Sequence, residues 1–545
     1  MNLAKRIGRA AALFMAAALI AFPVFAQNYD LVIQNGRVMD PETLFDAVRN
    51  VGIKDGRIVA ITKEAIEGRD SIDATDLVVA PGFIDTHTHS VDNAIKMVMF
   101  DGVTTAMDME AGVINVADWY AEKKDKWPIN YGATVGHELA RHVIHEGFKA
   151  KGATDVTGAV ISRGKSTETK WSVTRSSMEQ MNQITKILDD GLREGALGVG
   201  STVGYMSEGV TTYELFEVQR AAARYGRLSA FHSRFHLQSS NPEAPLGFDE
   251  VYTNAQLLDA PLLYTHNNDY GWWEIEEKLQ MARAKGLNMW SEHYPYAAAS
   301  TTIGSEFLLP DVWEAKMGNK YEETVFDSNL DKFLTKEEYL EQVKKNPAYI
   351  VTMFMKPREV WLPYWLKMPH MTVAADAMMM SGQVEWNDDV MGKYKGHPRT
   401  AGSHAKTLRL GREQDVPLMQ SLSQLSYWSA LHLGDAGLLD MQQRGRMQVG
   451  MVADITIFDP ETVTDNATYK NGENGLASTG IPHVIVNGHF VVRDSKTSDK
   501  RPTVGQPIRY PVEATGRHVP ASEGKWVGDF VTPTEYDGVK ADPKK

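Results

Sequence analysis

Both ends of the chain alternate apolar and polar residues with the period of two that is typical of strands buried on one face. Near the start, three runs between positions 31 and 80 follow this pattern: LVIQNGRVMD, VGIKDGRIVAI and SIDATDLVVA. Asn-Gly and Asp-Gly pairs accompany these runs and favour hairpins. The pattern returns in MQVGMVADITIF and HVIVNGHFVV, where Asn487-Gly488 is a further turn signal. We therefore expect residues 27–80 and 443–510 to build one β-sandwich domain together.

The middle of the chain, residues 81–442, alternates short β-like runs with helical stretches, which is the order of a parallel α/β fold. The predicted strands are LVVAPGFIDTHTH, GVTTAMDME, NYGATVGHE, ALGVGSTVG, RLSAFHSR, APLLYTHN, LNMWSEHYP and MTVAADA. Eight such units make a (β/α)₈ TIM barrel the economical choice, although a doubly wound sheet follows the same pattern. The polar stretch from Asp311 to Lys345 is expected to be an insertion that covers the barrel mouth. The tail, residues 511–545, is rich in Pro, Gly, Lys and Asp and is expected to lie extended over the surface.

The first 26 residues have the features of a secretory signal peptide. Basic residues Lys5, Arg6 and Arg9 precede an apolar run at 10–22, and small residues lead to a cleavage site after Ala26. A retained anchor is the alternative, but the run is shorter than the roughly 20 residues of a membrane helix. No later segment carries a comparable apolar run, so we expect an exported, periplasmic protein without stable membrane association.

Composition narrows the possible chemistry. The 545 residues contain no cysteine, so any metal ligand must be His, Asp, Glu or a modified Lys. The net charge of -13 comes with no basic block that would bind a phosphate backbone, which argues against nucleic acid as a partner. These features favour a small-molecule substrate, and none of them determines an oligomeric state.

Histidines end several predicted strands, and the carboxyl ends of barrel strands form the functional face of this fold. His87 and His89 end the first strand, and the strand period places both imidazoles on one side. His232 and His266 end the fifth and sixth strands in the same way. We predict that these four histidines bind one or two divalent ions, with Zn²⁺ the first choice and other divalent metals as alternatives.

Two neighbouring ions need a bridging anion, and Glu110 at the end of the second strand is the leading candidate. By strand alternation it shares a face with Ala106 and Asp108, so Asp108 is a rival ligand. A carbamylated lysine is the usual alternative, but no lysine ends the third, fourth or fifth strand.

A second set of residues is expected to act on the substrate. Asp376 ends the eighth strand after apolar residues, where a carboxylate needs a cation or a buried partner, and we predict it as the general base. A structural ion pair is the alternative for Asp376. Four further residue positions at strand ends, together with Arg399, offer substrate contacts, with capping, packing or structural roles as alternatives: His137, Arg234, Tyr294, Tyr296 and Arg399.

Taken in order, these motifs resemble the amidohydrolase superfamily and, within it, the D-aminoacylase family of N-acyl-D-amino-acid deacylases. The matching segments are PGFIDTHTH, GVTT, REGALGVGSTVGYMSEGVTTYEL, HSR, YPYAAAST, HPR and GMVADITIFDP, and they span nearly the whole mature chain. The resemblance implies a barrel flanked by a β-sandwich from both chain ends. It also implies that His87 and His89 bind one metal, that His232 and His266 bind the other, and that Asp376 is the base.

Three departures from the family pattern bear on chemistry. The family commonly places a cysteine where this chain has MDMEAG, so Glu110 stands beside that position and leaves metal number and identity open. A lysine thought to hold the substrate carboxylate is replaced by Asn268, which becomes a candidate substrate contact. The usual SDG around the base is AADA. The segments around Glu110 and Asn268 most resemble the branch of N-acyl-D-glutamate deacylases.

The sequence thus predicts a metal-dependent hydrolase of linear amides, most simply one that deacylates an N-acyl-D-amino acid such as an N-acyl-D-glutamate. A dipeptidase or cyclic amidase of the same superfamily would use the same ligands with a different pocket. A metal-binding or solute-binding barrel without catalysis is the alternative from another class.

Overall fold

The computed structural model describes residues 29–89, 91–149, 169–235, 244–378, 385–524, 535–536 and 539–540. The predicted leader at 1–26, with its cleavage site, lies outside the described residues, and so does most of the segment after 524. Export and the exact domain boundaries therefore stay predictions.

The strands of the described part of the chain are β1 (Tyr29–Asp40), β2 (Phe45–Lys54), β3 (Arg57–Thr62), β4 (Gly68–Asp73), β5 (Val78–Pro81), β6 (Phe83–Asp85), β7 (Val103–Val113), β8 (Asn130–Gly136), β9 (Gly198–Ser201), β10 (Leu228–Phe231), β11 (Leu262–Tyr264), β12 (Met289–His293), β13 (Ala298–Thr302), β14 (Val325–Asp327), β15 (Lys332–Phe333), β16 (Ile350–Phe354), β17 (Met371–Val373), β18 (Ile455–Phe458), β19 (His483–Val486), β20 (His489–Val492), β21 (Glu535–Tyr536) and β22 (Val539–Lys540).

The α-helices of the same part are α1 (Ile95–Phe100), α2 (Val116–Lys123), α3 (His137–Glu146), α4 (Lys170–Val173), α5 (Met178–Arg193), α6 (Thr212–Ala223), α7 (Ala244–Leu257), α8 (Trp272–Ala284), α9 (Pro310–Trp313), α10 (Tyr321–Thr324), α11 (Lys336–Lys345), α12 (Lys356–Trp365), α13 (Val390–Lys393), α14 (Arg399–Glu413), α15 (Leu418–Leu422), α16 (Trp428–Asp435) and α17 (Leu439–Gln442). A π-helical turn, Ser423–Tyr427, joins α15 to α16.

The two ends of the chain meet in one sheet, as the alternating patterns predicted. Its strand order is β20-β19-β18-β5-β1-β2-β3, with β4 beside β1. The β18–β5 pairing is antiparallel and joins residues 455–458 to 78–81. Apolar side chains from both ends, among them Ile33, Ile53 and Ile455, form its core.

Only some of the turn signals in this sheet make hairpins. Asp55-Gly56 joins β2 to β3 and Asn487-Gly488 joins β19 to β20, each with positive φ at both residues as a type I′ turn requires. The Asn-Gly pair at Asn35 and Gly36 does not form a hairpin. It lies inside β1, where the pairing with β2 shifts between Ile33 and Gly36. The left-handed conformation of Asn35 is used there for a bulge, so the hairpin predicted from this pair is wrong.

The central domain is the predicted parallel barrel, with all eight strands drawn from the eight predicted runs. Its order is β17-β12-β11-β10-β9-β8-β7-β6. The first and last strands meet through a parallel bridge between Thr88 and Ala377, where the His89 amide donates to the Ala377 carbonyl at 2.8 Å. The doubly wound alternative is thereby excluded. The carboxyl ends of all eight strands face one mouth.

An insertion between β12 and β17 has a structure of its own. It contains a four-stranded antiparallel sheet of order β13-β16-β14-β15 and the helices α9 to α11. Its core includes Trp313, Tyr321 and Met353, all fully or almost fully buried. The sheet was not predicted from the sequence because its strands are only two to five residues long. The insertion reaches the mouth where Thr301 contacts Tyr205, a residue that follows β9, at 3.1 Å between hydroxyl oxygens.

Beyond Tyr510 the described tail lies extended against the barrel helices, as predicted. The Arg517 amide donates to Asp189 at 2.8 Å, and Ala521 exchanges hydrogen bonds with Asn182. Among the described helices, none has the length and apolar character needed to cross a membrane.

Candidate metal centre

The imidazoles of the first strand turn toward one another and toward two carboxylates. The Nε2 atoms of His87 and His89 are 3.1 Å apart, and each lies 3.3 Å from Oε2 of Glu110. Oδ1 of Asp376 lies 3.1 Å from His89 Nε2 and 3.5 Å from His87 Nε2. Two nitrogens and two oxygens therefore surround one point at the barrel mouth.

A second group of ligand atoms shares Glu110 with the first. His232 Nδ1 and His266 Nε2 are 3.1 Å apart, and each lies 3.0 Å from Oε1 of Glu110. The glutamate thus presents one oxygen to each pair of histidines. All five side chains are at most 8% exposed. This is the geometry expected of a carboxylate between two ions.

The chemistry of this donor set fits divalent cations. Around a tetrahedral ion with bonds of about 2.0–2.1 Å, neighbouring ligand atoms stand about 3.3 Å apart, and the separations here are 3.0 to 3.5 Å. Three groups with metal-ligand spacing occur in the described part of the chain: His87–His89–Glu110, Glu110–His232–His266 and His87–His266–Asp376.

A β-bulge explains why Glu110 and not Asp108 faces the histidines. The register of β7 against β8 shifts between Asp108 and Val113, so strict alternation does not hold there. Asp108 lies behind His89, 4.0 Å from its Nδ1, and accepts the Gly112 amide at 2.9 Å. It belongs to none of the three ligand groups in the described residues. Among the described residues, the structure thus brings Glu110, and not its rival Asp108, to the histidine nitrogens.

Asp376 is held by a buried arginine. Arg399 donates from Nη2 to Oδ2 at 2.8 Å and from Nε to the Asp376 carbonyl at 2.8 Å. Burial by itself would raise the pKa of Asp376, but Arg399, followed by His87 and His89, holds it far below its ordinary value. Asp376 and His266 both have positive φ, at 47° and 36°. Backbone strain in non-glycine residues is concentrated at functional sites, and here it falls on two predicted site residues.

Glu292 on β12 was missed by the sequence analysis. Its Oε1 lies 2.5 Å from His87 Nδ1, and its Oε2 accepts the Thr86 hydroxyl at 2.7 Å. A carboxylate on Nδ1 leaves the Nε2 lone pair of His87 directed at the metal position. The available signal was a charged residue, Glu292, inside the apolar run of the seventh strand. Its role depends on His87, which lies 205 positions away in the sequence.

The predicted substrate residue Tyr294 lies beside this centre and is 2% exposed. Its ring is 6.3 Å from the His266 ring between centroids, and the Arg399 guanidinium stands 4.8 Å above it. Burial raises the pKa of Tyr294 above its ordinary value, so the phenol keeps its hydrogen. Asn268, fully buried, donates to the Tyr294 carbonyl at 3.1 Å and accepts its amide at 3.4 Å.

The other three predicted substrate residues have their polar atoms directed elsewhere. His137 bonds to Ser201 at 2.9 Å and to Glu214 at 3.1 Å. Arg234 donates to Glu250 and to two backbone carbonyls. Tyr296 packs edge-on against His397, and its hydroxyl has no hydrogen-bond partner among the described residues. The structure does not bring these three to the centre, and their substrate roles stay predictions.

Sequence comparison finds relatives over the length of the chain. D-aminoacylase of Alcaligenes xylosoxydans xylosoxydans is 23% identical over 506 residues, covering 85% of this chain and 94% of that protein. The N-acyl-D-glutamate deacylase of the same organism is 25% identical over 522 residues, covering 87% and 96%. No family model matches the chain.

Solved structures agree on the fold. A crystal structure of D-aminoacylase superposes with a TM-score of 0.68 at 20% identity, covering 89% of this chain and all of that one. An N-acyl-D-glutamate deacylase from Bordetella bronchiseptica, complexed with zinc and a phosphonate inhibitor, gives 0.70 at 21% identity over the same shares. These structures share the barrel and the flanking sheet of this chain, and the full-length relatives are a D-aminoacylase and an N-acyl-D-glutamate deacylase.

Proposed function

We propose that this protein is a metal-dependent deacylase of N-acyl-D-amino acids, which it hydrolyses to a carboxylate and a free amino acid. The observation that carries the proposal is the pairing of Glu110 with four histidines beside Asp376, an arrangement that provides ligands and a base in one buried place. Preference for linear acyl amides and for the D configuration is supported by the full-length relatives.

His87, His89, Glu110, His232 and His266 would hold one or two divalent ions, and Zn²⁺ suits this nitrogen and oxygen donor set. A bound ion supplies Lewis-acid polarisation of the amide carbonyl and lowers the pKa of water toward about 7. Glu292 contributes by fixing which nitrogen of His87 is a lone-pair donor.

Asp376 acts as the base in this proposal. Its lowered pKa keeps it ionised, and its Oδ1, the oxygen that faces the histidines, is placed to accept a proton from the attacking water. It then delivers the proton to the amide nitrogen as the carbon–nitrogen bond breaks. Arg399 holds Oδ2 and the backbone, which fixes the direction of Oδ1.

Arg399 also has a free donor for the substrate. Its Nη1 is buried and has no hydrogen-bond partner among the described residues. Together with the Tyr294 hydroxyl it offers recognition of the substrate carboxylate. N-acyl-D-glutamate is the first substrate to test, since one full-length relative is an N-acyl-D-glutamate deacylase.

The test is metal analysis and release of free amino acid from a panel of N-acetyl D- and L-amino acids that includes D-glutamate. Asp376→Asn is the matched control. Turnover of D-substrates that disappears in the variant, while metal stays bound, supports the proposal. Bound metal without turnover of any member would overturn it, and dipeptides and cyclic amides would then be assayed. Export is part of the proposal, and N-terminal sequencing of periplasmic protein, with Gln27 as the expected first residue, tests it.

A further inference from the structure

Arg358 is a fully buried arginine at the point where the insertion returns to the barrel. It lies in the first turn of α12. Its Nε and Nη2 donate to Oδ1 of Asp269 at 2.9 and 2.7 Å, and its Nη1 donates to the Tyr294 hydroxyl oxygen at 2.7 Å. One side chain therefore ties the insertion to the loop after β11 and to a phenol beside the metal centre.

The hydrogen bond from Arg358 decides what Tyr294 can do. A phenol has one hydrogen to donate, and its oxygen also accepts. Since Arg358 fills the accepting role, the hydroxyl hydrogen of Tyr294 must point to another acceptor. The described residues place no acceptor within hydrogen-bond distance of that hydrogen, whereas the Arg399 guanidinium and the His266 ring flank the phenol. A buried donor of this kind is costly unless a ligand accepts it.

Asn268 offers no charge to a substrate. It is neutral, and both ends of its amide are used on the Tyr294 backbone. The charge of Arg358 is balanced by Asp269, which is 7% exposed. Asn268, Asp269 and Arg358 therefore offer a substrate no unpaired charge, and the oriented Tyr294 hydroxyl and the Nη1 donor of Arg399 remain as the groups that can bind a carboxylate.

We propose that Arg358 is a positioning residue that fixes the Tyr294 hydroxyl as a donor to the substrate carboxylate, beside the free Nη1 donor of Arg399. The inference rests on the proposed function, because the carboxylate belongs to an N-acyl amino acid. Asn268 holds the backbone of Tyr294 and Arg358 holds its phenol, so the donor is fixed from both ends.

The experiment compares an N-acetyl-D-amino acid with its carboxamide, which differs only in the group that Tyr294 would recognise. The native enzyme is expected to prefer the carboxylate. Tyr294→Phe and Arg358→Gln should each reduce that preference by roughly 10- to 100-fold, mainly through KM, because a hydrogen bond to a charged group is lost. The double variant should lose no more than either single variant. Arg358→Lys, which keeps a donor, should recover part of the preference.

Arg444→Gln is the matched control, since Arg444 is a buried arginine paired with Asp454 at 2.9 Å. It should lower the melting temperature without changing the preference between the two substrates. A purely structural role for Arg358 would change both substrates equally, and that result overturns the inference. Tyr294→Phe removes only one oxygen, so it remains a usable test if Arg358→Gln misfolds. An unchanged preference for the carboxylate in Tyr294→Phe overturns the inference as well.

Failure of the proposed function is distinguishable from failure of this inference. If the native enzyme hydrolyses neither compound, binding of each compound to the metal-loaded protein is measured by calorimetry. The ratio of the affinities for the carboxylate and the carboxamide then replaces the ratio of the hydrolysis rates. A carboxylate preference that Tyr294→Phe and Arg358→Gln both remove supports the inference even then. Equal affinities in the native protein overturn it.

Discussion

Two buried polar clusters lie at the mouth of this barrel, and they differ in how their charges are balanced. In the ion-pair cluster, which consists of His137, Arg141, Ser201 and Glu214, each nitrogen of His137 and Arg141 has a partner. In the metal cluster, which consists of His87, His89, Glu110, His232, His266 and Asp376, ring nitrogens face one another at 3.1 Å.

The difference separates a structural cluster from a binding one. Burial of polar groups is costly unless they find partners, and the nitrogens of His137 and Arg141 find them within the chain. The metal cluster instead directs imidazole nitrogens and carboxylate oxygens at common points, an arrangement that fits a divalent cation. Histidine at a strand end is thus a weak signal by itself, and His137 and His232 resemble each other until their partners are known.

The largest effect is expected from a change at Glu110, the residue that both histidine pairs of the metal cluster share. Glu110→Gln leaves the imidazoles without a bridging anion, so metal content should fall and turnover should drop by more than about 100-fold. Metal analysis and amino acid release measure both effects. Full metal content in the variant would show that Glu110 is not a ligand.

The equivalent change in the ion-pair cluster should act on stability. Glu214→Gln leaves Arg141 buried without its counter-charge, and we expect a loss of roughly 3–5 kcal/mol in the free energy of unfolding. Urea titration at pH 7 measures this loss of stability. The metal content per folded molecule should stay unchanged. Loss of metal in this variant would contradict the separation of the two clusters.

The stabilisation by Glu214 should also depend on pH. Burial alone would raise its pKa, but His137 and Arg141 lower it to about 2 from an ordinary value of 4.5. Because the folded pKa is depressed, the contribution is fully present above about pH 4.5 and is lost as the pH falls toward 2. The difference in melting temperature between the native protein and Glu214→Gln should therefore narrow below pH 4.5, and a constant difference would refute it.

A smaller effect is expected from the carboxylate behind the metal cluster. Glu292→Gln weakens the orientation of His87 and should lower metal affinity by about 10- to 100-fold. Glu276→Gln is the matched control, since Glu276 is a buried carboxylate on a neighbouring helix that accepts from Ser291 and Asn267 and not from a histidine. Equal metal affinities in the two variants would argue against the role of Glu292.

The smallest effect is expected at Tyr296. Its ring packs against His397 and its hydroxyl makes no hydrogen bond among the described residues, so Tyr296→Phe breaks no hydrogen bond of the described residues and costs little stability. The ratio kcat/KM should change by less than about twofold, a difference of about 0.4 kcal/mol. A larger fall would restore the predicted substrate role of this residue.

Local sequence patterns were sufficient to predict the elements whose position depends on the periodicity of apolar residues. The eight strands followed from short apolar runs, and the histidines from their places at strand ends, because a barrel brings those ends together whatever the loops do. The small sheet of the insertion was not predictable, since strands of two to five residues have too few side chains to show a period.

Sequence alone determined the class of fold, the absence of thiolate ligands, and a set of histidines and carboxylates at one end of the barrel. The tertiary structure decided which polar residues share that centre. The bulge in β7 goes with Glu110, and not Asp108, lying among the histidine nitrogens, and contacts across the barrel added Glu292 and Arg358. The physical reason is that a ligand or positioning residue is defined by distances of about 3 Å between atoms, and such distances between residues far apart in sequence exist only after the chain has folded.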